Sequence, residues 1–249
     1  MMLKIFNNIS MIFRKINFQE WSRTLFLLAC LSVSLFVQAQ DQLLEQYVSI
    51  VTDFEQRSPI AYQSTYHYYE NLEDKEAQHK LEIAVRKTEQ AMYYAYEQIE
   101  VYQTKNKMLY IDHIDKSIII HSSDQAVNPN NQLGAYARFI EVLQLIGQQD
   151  IQENGQTLLH FDNPKLSKTE LSIYYNTDNK LLQQATVAFD FLDQESAYQE
   201  YDQTKLSVQF TDYQLDNIQI PIVLSDVYKK VGSDIVGLGK FKAYKINQL

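Results

Sequence analysis

The sequence is poor in cysteine, tryptophan, proline and glycine, and each shortage excludes a class of protein. Its only cysteine, Cys30, and its only tryptophan, Trp21, lie in the first 39 residues, so the remainder can form neither a disulfide nor a thiolate site. With four prolines and six glycines in 249 residues, no flexible linker or low-complexity tract divides the chain. Glycine-rich phosphate loops, paired metal-ligand motifs and hydrolase motifs are also missing from the sequence.

No catalytic or metal-binding cluster stands out among the residues that are present. The stretch His121-Ser122-Ser123-Asp124 has the residue types of a hydrolase triad, but neighbours in sequence rarely converge as nucleophile and base. Asp112 and Asp115 flank His113 with a spacing that matches no calcium loop and predicts a solvated turn. We therefore predict that the protein is not an enzyme and has no cofactor and no metal site.

Residues 1–39 predict a secretory signal peptide. Basic residues precede an apolar run at residues 25–37, which is too short for a membrane-spanning helix. Cleavage after Ala39 is predicted, with export to the periplasm and a single domain over residues 40–249. The alternative is a lipid anchor on Cys30, since residues 27–30 resemble a lipobox, but the apolar run continues beyond that cysteine.

Without the leader the chain is strongly acidic. The leader holds four of the 22 basic residues and one of the 31 acidic ones, so residues 40–249 carry 18 basic and 30 acidic residues, a net charge of −12. Such a domain is poorly suited to nucleic acid or to an anionic bilayer surface, because both would repel it.

Residues 166–216 predict three consecutive antiparallel strands with one apolar face. The apolar residues occur at every second position, and those assigned to the inner face include Leu171, Ile173, Val187, Phe189, Phe191, Val208 and Phe210. A strand meander over residues 60–123 and a strand at 157–161 would extend the sheet. Residues 92–102 are apolar on both faces, which predicts either a strand covered on both sides or a change of register.

Two amphipathic helices are predicted to cover that face. Residues 41–57 place an apolar stripe at helical spacing and end at Ser58-Pro59. Residues 132–148, ending at Gly147 or shortly after, are apolar almost all round and include Phe139, Leu143 and Ile146, which is typical of a helix that is deeply buried or shields a cavity. Near the end, we predict a short helix at 224–231 and a strand at 241–246.

Arginine is scarce after the leader, and two arginines are candidates for fastening a helix to the sheet. Arg86 lies on a predicted strand and Arg138 on the apolar helix. A planar guanidinium can bond several carbonyl oxygens across such a boundary. The alternative is that both are ordinary surface residues.

The order of these elements resembles the periplasmic outer-membrane lipoprotein carriers, the LolA/LolB-like family. The resemblance covers most of residues 40–249 and rests on the 43–54 helix leading into the Tyr62 strand and on the hairpins at 107–120 and 174–189. It implies an α+β fold, mainly antiparallel β, in which two helices cover the concave apolar face of an incomplete (half) barrel that shelters acyl chains. No functional residue is carried over from the family.

We therefore expect a monomeric carrier that binds a lipid or a lipoprotein acyl chain in an apolar groove and meets other envelope proteins. The alternative is a structural or assembly module of a cell-envelope complex, in which the groove is a filled core. The predicted groove residues are Phe139, Leu143, Ile146, Ile173, Val187, Phe189, Phe191, Val208 and Phe210.

Overall fold

The computed structural model describes residues 40–122, 140, 144–152, 155–163, 169–190 and 203–248. Residue contacts divide the chain into two units, residues 1–45 and residues 46–249. A helix, α1, covers residues 40–56. Its part from Gln46 onward belongs to the second unit, which the rest of this section concerns.

Strands dominate the described residues of the second unit. Two short helical pieces interrupt them near the end, α2 at Leu224–Val227 and a 3₁₀ helix at Gly239–Phe241. The strands are β1 Ile60–Tyr69, β2 His79–Lys87, β3 Ala91–Tyr96, β4 Ile99–Thr104, β5 Lys107–Asp112, β6 Ser117–Ser122, β7 Ile146–Ile151, β8 Gln156–Asp162, β9 Glu170–Asn176, β10 Leu182–Asp190, β11 Gln203–Gln214, β12 Tyr228–Val231, β13 Asp234–Gly237 and β14 Lys245–Gln248.

Twelve of these strands form one large sheet, in the order β14-β6-β5-β4-β3-β2-β1-β11-β10-β9-β8-β7. All neighbours are antiparallel except β14, which lies parallel to β6. Strands β12 and β13 form a separate hairpin. The sheet is unclosed in the described part of the chain, with β14 and β7 at its edges, and the prediction of a mainly antiparallel α+β fold is confirmed. The half-barrel curvature stays a prediction.

The two-sided apolar stretch at residues 92–102 is a hairpin. Its first half is β3 and its second half is β4, paired from Tyr96↔Ile99 to Ala91↔Thr104. Glu97 at the turn has a φ of 49°, the left-handed conformation that a tight turn requires. The predicted change of register is therefore a reversal of the chain.

The predicted helix at 132–148 extends too far, because Ile146, Gly147 and Gln148 lie in β7 and pair with β8. Gln144 has a φ of 50°, and the Leu145 N–H donates to the Ile140 carbonyl at 2.9 Å. That bond is typical of a Schellman ending, which normally has glycine at the left-handed position. The chain therefore leaves the helix before Gly147, and the remainder of that predicted helix lies outside the described residues.

The face of the sheet that α1 covers, the helix-side face, carries the first core. The Phe54 ring packs 5.3 Å from Tyr62 and 5.4 Å from Phe210, and Tyr47 meets Phe161 edge-on at 5.7 Å. The rings of such pairs favour these edge and tilted contacts. An amphipathic helix is stabilised by burying this stripe rather than by its own propensity, so the predicted packing of α1 on the sheet is confirmed.

A second core lies on the opposite face of the sheet. Leu109, Ile111, Ile118 and Ile120 are buried there against side chains that follow Gln219, namely Ile222, Val227 and Phe241. The end of the chain thus covers this part of the opposite face, for which the sequence analysis predicts no particular partner. In this segment α2 is shorter than the predicted helix at 224–231, and β14 lies later than the predicted strand at 241–246.

No helix among the described residues is long and apolar enough to cross a membrane.

Candidate binding face

Four of the predicted groove residues lie together beneath α1. Ile173, Val187, Val208 and Phe210 come from β9, β10 and β11, share the helix-side face and are all buried, with Ile173 fully inaccessible. Period-two alternation brings them to this face, as predicted. Because α1 already packs on this part of the sheet, the four side chains form a filled core there.

The other five predicted groove residues do not join this group, or their side chains are not described. Ile146 is half-buried on the edge strand β7, opposite Asp162. Phe189 lies in β10 opposite Thr204, and its side chain is not among those described. Phe139, Leu143 and Phe191, together with the candidate fastener Arg138, lie outside the described residues.

Arg86 fastens a different element from the one predicted. Its side chain lies on the opposite face, and one guanidinium nitrogen donates to the Gln219 carbonyl at 3.0 Å. It therefore holds the C-terminal segment, not a helix, to the sheet. The sequence analysis proposed a bond from Arg86 to a carbonyl of another element, but nothing in the sequence identified Gln219 as the partner.

The neighbouring residue, Lys87, connects the sheet to α1 instead. Its ammonium group donates to the Glu55 carbonyl at 2.5 Å, close to the C-terminal end of the helix, where a cation is favoured by the helix dipole. Burial lowers the pKa of the Lys87 ammonium, and the charge of Glu55 opposes that shift. On the other side of the helix, Gln46 donates to the Tyr175 hydroxyl at 2.8 Å.

Beyond α1 the helix-side face continues as an apolar row across β3 to β6. The register places Tyr94, Val101, Tyr110 and Ile119 side by side on four adjacent strands. Val101 is buried, whereas the other three are half-buried. Burial raises the pKa of the Tyr94 hydroxyl, and burial together with Tyr96, Asp112 and Asp115 raises that of Tyr110. We call these four residues the β3–β6 row.

A cavity of about 370 Å³ opens at one end of this face. Its lining is mainly polar, since only Ala91 and Met92 are apolar, and it includes charges of both signs from Lys87, Glu89 and Lys105. The Gln103 Oε1 atom is buried and has no hydrogen-bond partner in the described part of the protein. A buried acceptor without a partner is costly, and this oxygen is inaccessible from the cavity with the side chain in its present position.

The sequence indicates this site through residues 92–102, which are apolar on both faces of the stretch. That pattern marks Met92, Tyr94 and Val101 as residues facing something other than water on one side. It does not say which face holds a core and which holds a cavity. The β3–β6 row was therefore absent from the predicted groove, whose residues come from the later strands.

The predicted turn around Asp112 is confirmed. The Asp112 carboxylate accepts the backbone N–H groups of Ile114 and Asp115 at 2.8 and 3.0 Å, which is an Asx turn. Among the described residues, no group of three or more His, Cys, Asp or Glu side chains is placed to hold a metal ion.

His113 belongs to a cluster on the opposite face that joins three segments. Its Nε2 lies 2.7 Å from a Glu100 carboxylate oxygen and its Nδ1 lies 2.7 Å from the Tyr244 hydroxyl. This hydroxyl–imidazole–carboxylate series has the groups of a proton relay, but none of the three side chains lines the cavity beside the β3–β6 row. The arrangement fastens the end of the chain to β4 and to the β5–β6 turn.

Comparison with known proteins gives only structural likenesses. No protein-family model and no curated protein sequence matches the chain. An uncharacterized conserved protein from Thermus thermophilus superimposes with a TM-score of 0.40 and 7% identity, over 82% of this chain and 99% of that one. A LolA superfamily protein from Nitrosomonas europaea gives 0.31 and 9%, over 69% and 94%.

A third solved structure, the Mycobacterium tuberculosis lipoprotein LppX, gives a TM-score of 0.35 and 9% identity, over 70% of this chain and 95% of that one. All three scores are below 0.5, so they say nothing about what this chain binds. The chain has a weak structural resemblance to proteins of the LolA superfamily.

Proposed function

We propose that the protein is an exported, non-enzymatic envelope protein that binds a lipid or a lipoprotein acyl chain on the helix-side face of its sheet. The observation that carries this proposal is the continuation of the apolar face beyond α1. Tyr94, Tyr110 and Ile119 lie half-buried there, beside a cavity of about 370 Å³. Half-buried apolar side chains next to a cavity are suited to an apolar ligand.

The proposed site is on β3 to β6 rather than on β9 to β11. A ligand on the later strands would have to displace α1, because Val208 and Phe210 are buried beneath that helix. A chain lying along the β3–β6 row would leave the helix in place. Each methylene group that it buried would contribute about 0.8 kcal/mol, so a short acyl segment could bind measurably.

The cavity would receive the polar end of such a ligand. The Lys87 and Lys105 side chains line this space together with Glu89. A headgroup with an anionic or carbonyl oxygen would meet the lysine ammonium groups, and one with a hydroxyl or amide donor would meet the carboxylate.

The alternative is a structural or assembly module of an envelope complex with no ligand. The close packing of Phe54, Tyr62 and Phe210 favours it, because that part of the predicted groove is filled by the protein itself. The two functions differ in whether the protein binds an acyl chain. A carrier should bind one with an affinity that depends on the β3–β6 row, whereas a structural module should not.

The test is binding of a fluorescent fatty acid, with mass spectrometry of gently purified protein for lipids that co-purify. Ile119→Glu places a charge in the row and should weaken binding at least about tenfold, since a buried charge beside an acyl chain costs more than about 1.4 kcal/mol. The matched control is Ile114→Glu, the same change at a residue 74% exposed in the β5–β6 turn, which should bind like the parent. Urea midpoints establish that each variant is folded, and Ile119→Thr is the milder second variant.

Two results would contradict the proposal. If the parent protein binds no fluorescent fatty acid and carries no lipid, the assembly-module alternative stands. If the parent binds but Ile119→Glu and Ile114→Glu bind equally well, the ligand lies elsewhere and the assignment to the β3–β6 row is wrong.

A further inference from the structure

Both methionines of the exported chain lie on one row of the sheet. The sequence has five methionines, and those at positions 1, 2 and 11 belong to the leader. The other two are Met92 on β3 and Met108 on β5. The strand register aligns Met92 with Gln103, Gln103 with Met108, and Met108 with His121. We call these four residues the Met–His row.

The Met–His row lies on the helix-side face, directly beside the β3–β6 row. Each of its members is two positions along its strand from a member of that row, and residues two apart in a strand share a face. Met92 is 8% exposed, whereas Met108 and His121 are half-buried. Met92 also lines the cavity of about 370 Å³, so a small ion can approach the row from solvent.

The spacing of these side chains suits a shared metal ion. Met108 and His121 are direct cross-strand neighbours, whose Cβ atoms lie about 5 Å apart in such pairs. Metal bonds to sulfur and to imidazole nitrogen are about 2.3 and 2.0 Å long, so the two side chains can hold one ion between them. Met92 is two strands from Met108, and its flexible, unbranched side chain can lean over Gln103 toward the same point.

The donor atoms of the row are soft and uncharged. Thioether sulfur selects Cu(I), and imidazole also suits copper. Hard cations such as Mg²⁺ and Ca²⁺ take oxygen ligands, and the row contains no carboxylate. Within the described part of the protein, the His121 imidazole has no hydrogen-bond partner and no ion pair, so its ring nitrogens are available. The finding that no group of His, Cys, Asp and Glu side chains is placed to hold a metal does not extend to thioether ligands.

The charges near the row lie at its Met92 end. Lys87 and Lys105 line the cavity there, and Glu89 offsets part of their charge. The Lys87 ammonium is directed to the Glu55 carbonyl at 2.5 Å. Because burying an ion is costly, these surroundings favour a monovalent ion over a divalent one.

We infer that Met92, Met108 and His121 form a binding site for the soft monovalent ion Cu(I), with two thioethers and one imidazole as ligands. Packing alone gives no reason for both methionines to lie on one row with a histidine, since leucine would fill the same space. The sequence-based prediction of no metal site rested on missing paired-ligand motifs and did not consider thioethers. The site lies beside the β3–β6 row and needs no acyl chain, so the inference does not rest on the proposed function.

The experiment is NMR of the exported protein labelled with ¹³C at the methionine methyl groups, during titration with Ag(I) in chloride-free buffer. Ag(I) has the charge and softness of Cu(I) and is stable in air. The exported chain gives two methyl signals, which Met92→Leu and Met108→Leu assign. Both signals should move and stop moving at one equivalent of Ag(I), whereas Mg²⁺ should move neither.

Competition with a Cu(I) chelator then measures the affinity of each variant. Met92→Leu, Met108→Leu and His121→Gln should each weaken Cu(I) binding at least about tenfold, because even partners outside the ligand shell commonly contribute that much. Leucine keeps the volume of methionine, and urea midpoints check that each variant is folded. The matched control is His79→Gln, the same change at an exposed position of β2, which should bind like the parent.

Three results would overturn the inference. The first is failure of the parent to bind Ag(I) or Cu(I), and the second is an equal loss of affinity in His79→Gln. The third is a Met92 or Met108 methyl signal that stays in place when the ion binds, because the ion would then lie elsewhere. Failure of the fatty-acid test leaves all three measurements unaffected, so the two proposals are tested separately.

Discussion

The His113 imidazole lies between the Glu100 carboxylate and the Tyr244 hydroxyl, with 2.7 Å contacts on both sides. The Lys240 ammonium approaches the same carboxylate at 3.5 Å, and the Phe241 ring stacks on the imidazole with 6.4 Å between centroids. One side chain at the β5–β6 turn thereby holds the end of the chain in place. The parallel strand β14 begins directly after Tyr244, where the Lys245 N–H also donates to the Lys116 carbonyl at 2.9 Å.

We predict that His113→Ala destabilises the protein by about 1–3 kcal/mol, because the Tyr244 hydroxyl loses this partner and the mostly buried Glu100 carboxylate keeps only Lys240 and Tyr93. His79→Ala is the control, since His79 is exposed on β2, and should change the free energy of unfolding by no more than about 0.5 kcal/mol. Urea unfolding measures both. Hydrogen exchange should become faster in Lys245–Gln248 for His113→Ala alone, and equal exchange in the two variants would show that the cluster does not hold β14.

The packing of α1 gives a second prediction. Phe54 is 4% exposed and contacts the rings of Tyr62, Phe210 and Tyr213, so Phe54→Ala should leave a void and cost about 3–5 kcal/mol. The control on the same helix is Val48→Ala, whose side chain is 42% exposed and which should cost less than about 1 kcal/mol. A loss for Phe54→Ala as small as that of Val48→Ala would mean that α1 lies loosely on the sheet.

Alternation along the strands made much of the sheet predictable. Leu171, Ile173 and Tyr175 are buried as expected, because the side-chain period of a strand is a local property. Thr186 and Ser207 lie on the opposite face from Val187, as the alternation predicts, but both are buried rather than exposed. Gln184 donates to the Ser207 hydroxyl at 3.0 Å, a network of small polar groups that hydrophobic periodicity does not reveal.

Contacts between distant segments were not predictable. Arg86 and Gln219 are 133 residues apart, and nothing near either residue indicates the other. The helix before β7 ends at Gln144 in a conformation that usually requires glycine, so Gly147 was wrongly taken as its end. For the candidate site, the sequence showed that residues 92–102 were apolar on both sides. It did not show that one side would meet the second core and that the other would carry the β3–β6 row.

A third prediction concerns alkaline pH. Burial, the Glu100 charge and a hydrogen bond to Glu100 raise the pKa of Tyr93 from 10.0 to about 12, with Arg86 opposing the shift. Between those values the unfolded chain releases the tyrosine proton while the folded chain keeps it. The contribution of Tyr93 to stability is therefore complete below about pH 10 and is lost as the pH rises toward 12.

The variant Tyr93→Phe removes this proton and should show a smaller fall in urea midpoint between about pH 10 and pH 12 than the parent. All other titrating groups are shared, so the difference between the two pH profiles isolates Tyr93. Parallel profiles would show that the hydroxyl titrates alike in the folded and unfolded chain.

The final prediction concerns processing of the leader. The apolar run continues past Cys30 to Val37, and Val37 and Ala39 stand at the two positions where signal peptidase needs small residues. The exported protein should therefore begin at Gln40 and carry no lipid, and intact-mass measurement after export checks both. Cys30→Ser should leave the mass and location of the product unchanged, whereas Ala39→Leu should slow processing and enrich the uncleaved chain. A diacylglyceryl adduct beginning at Cys30, lost in Cys30→Ser, would instead mean that the protein is tethered to a membrane through its leader.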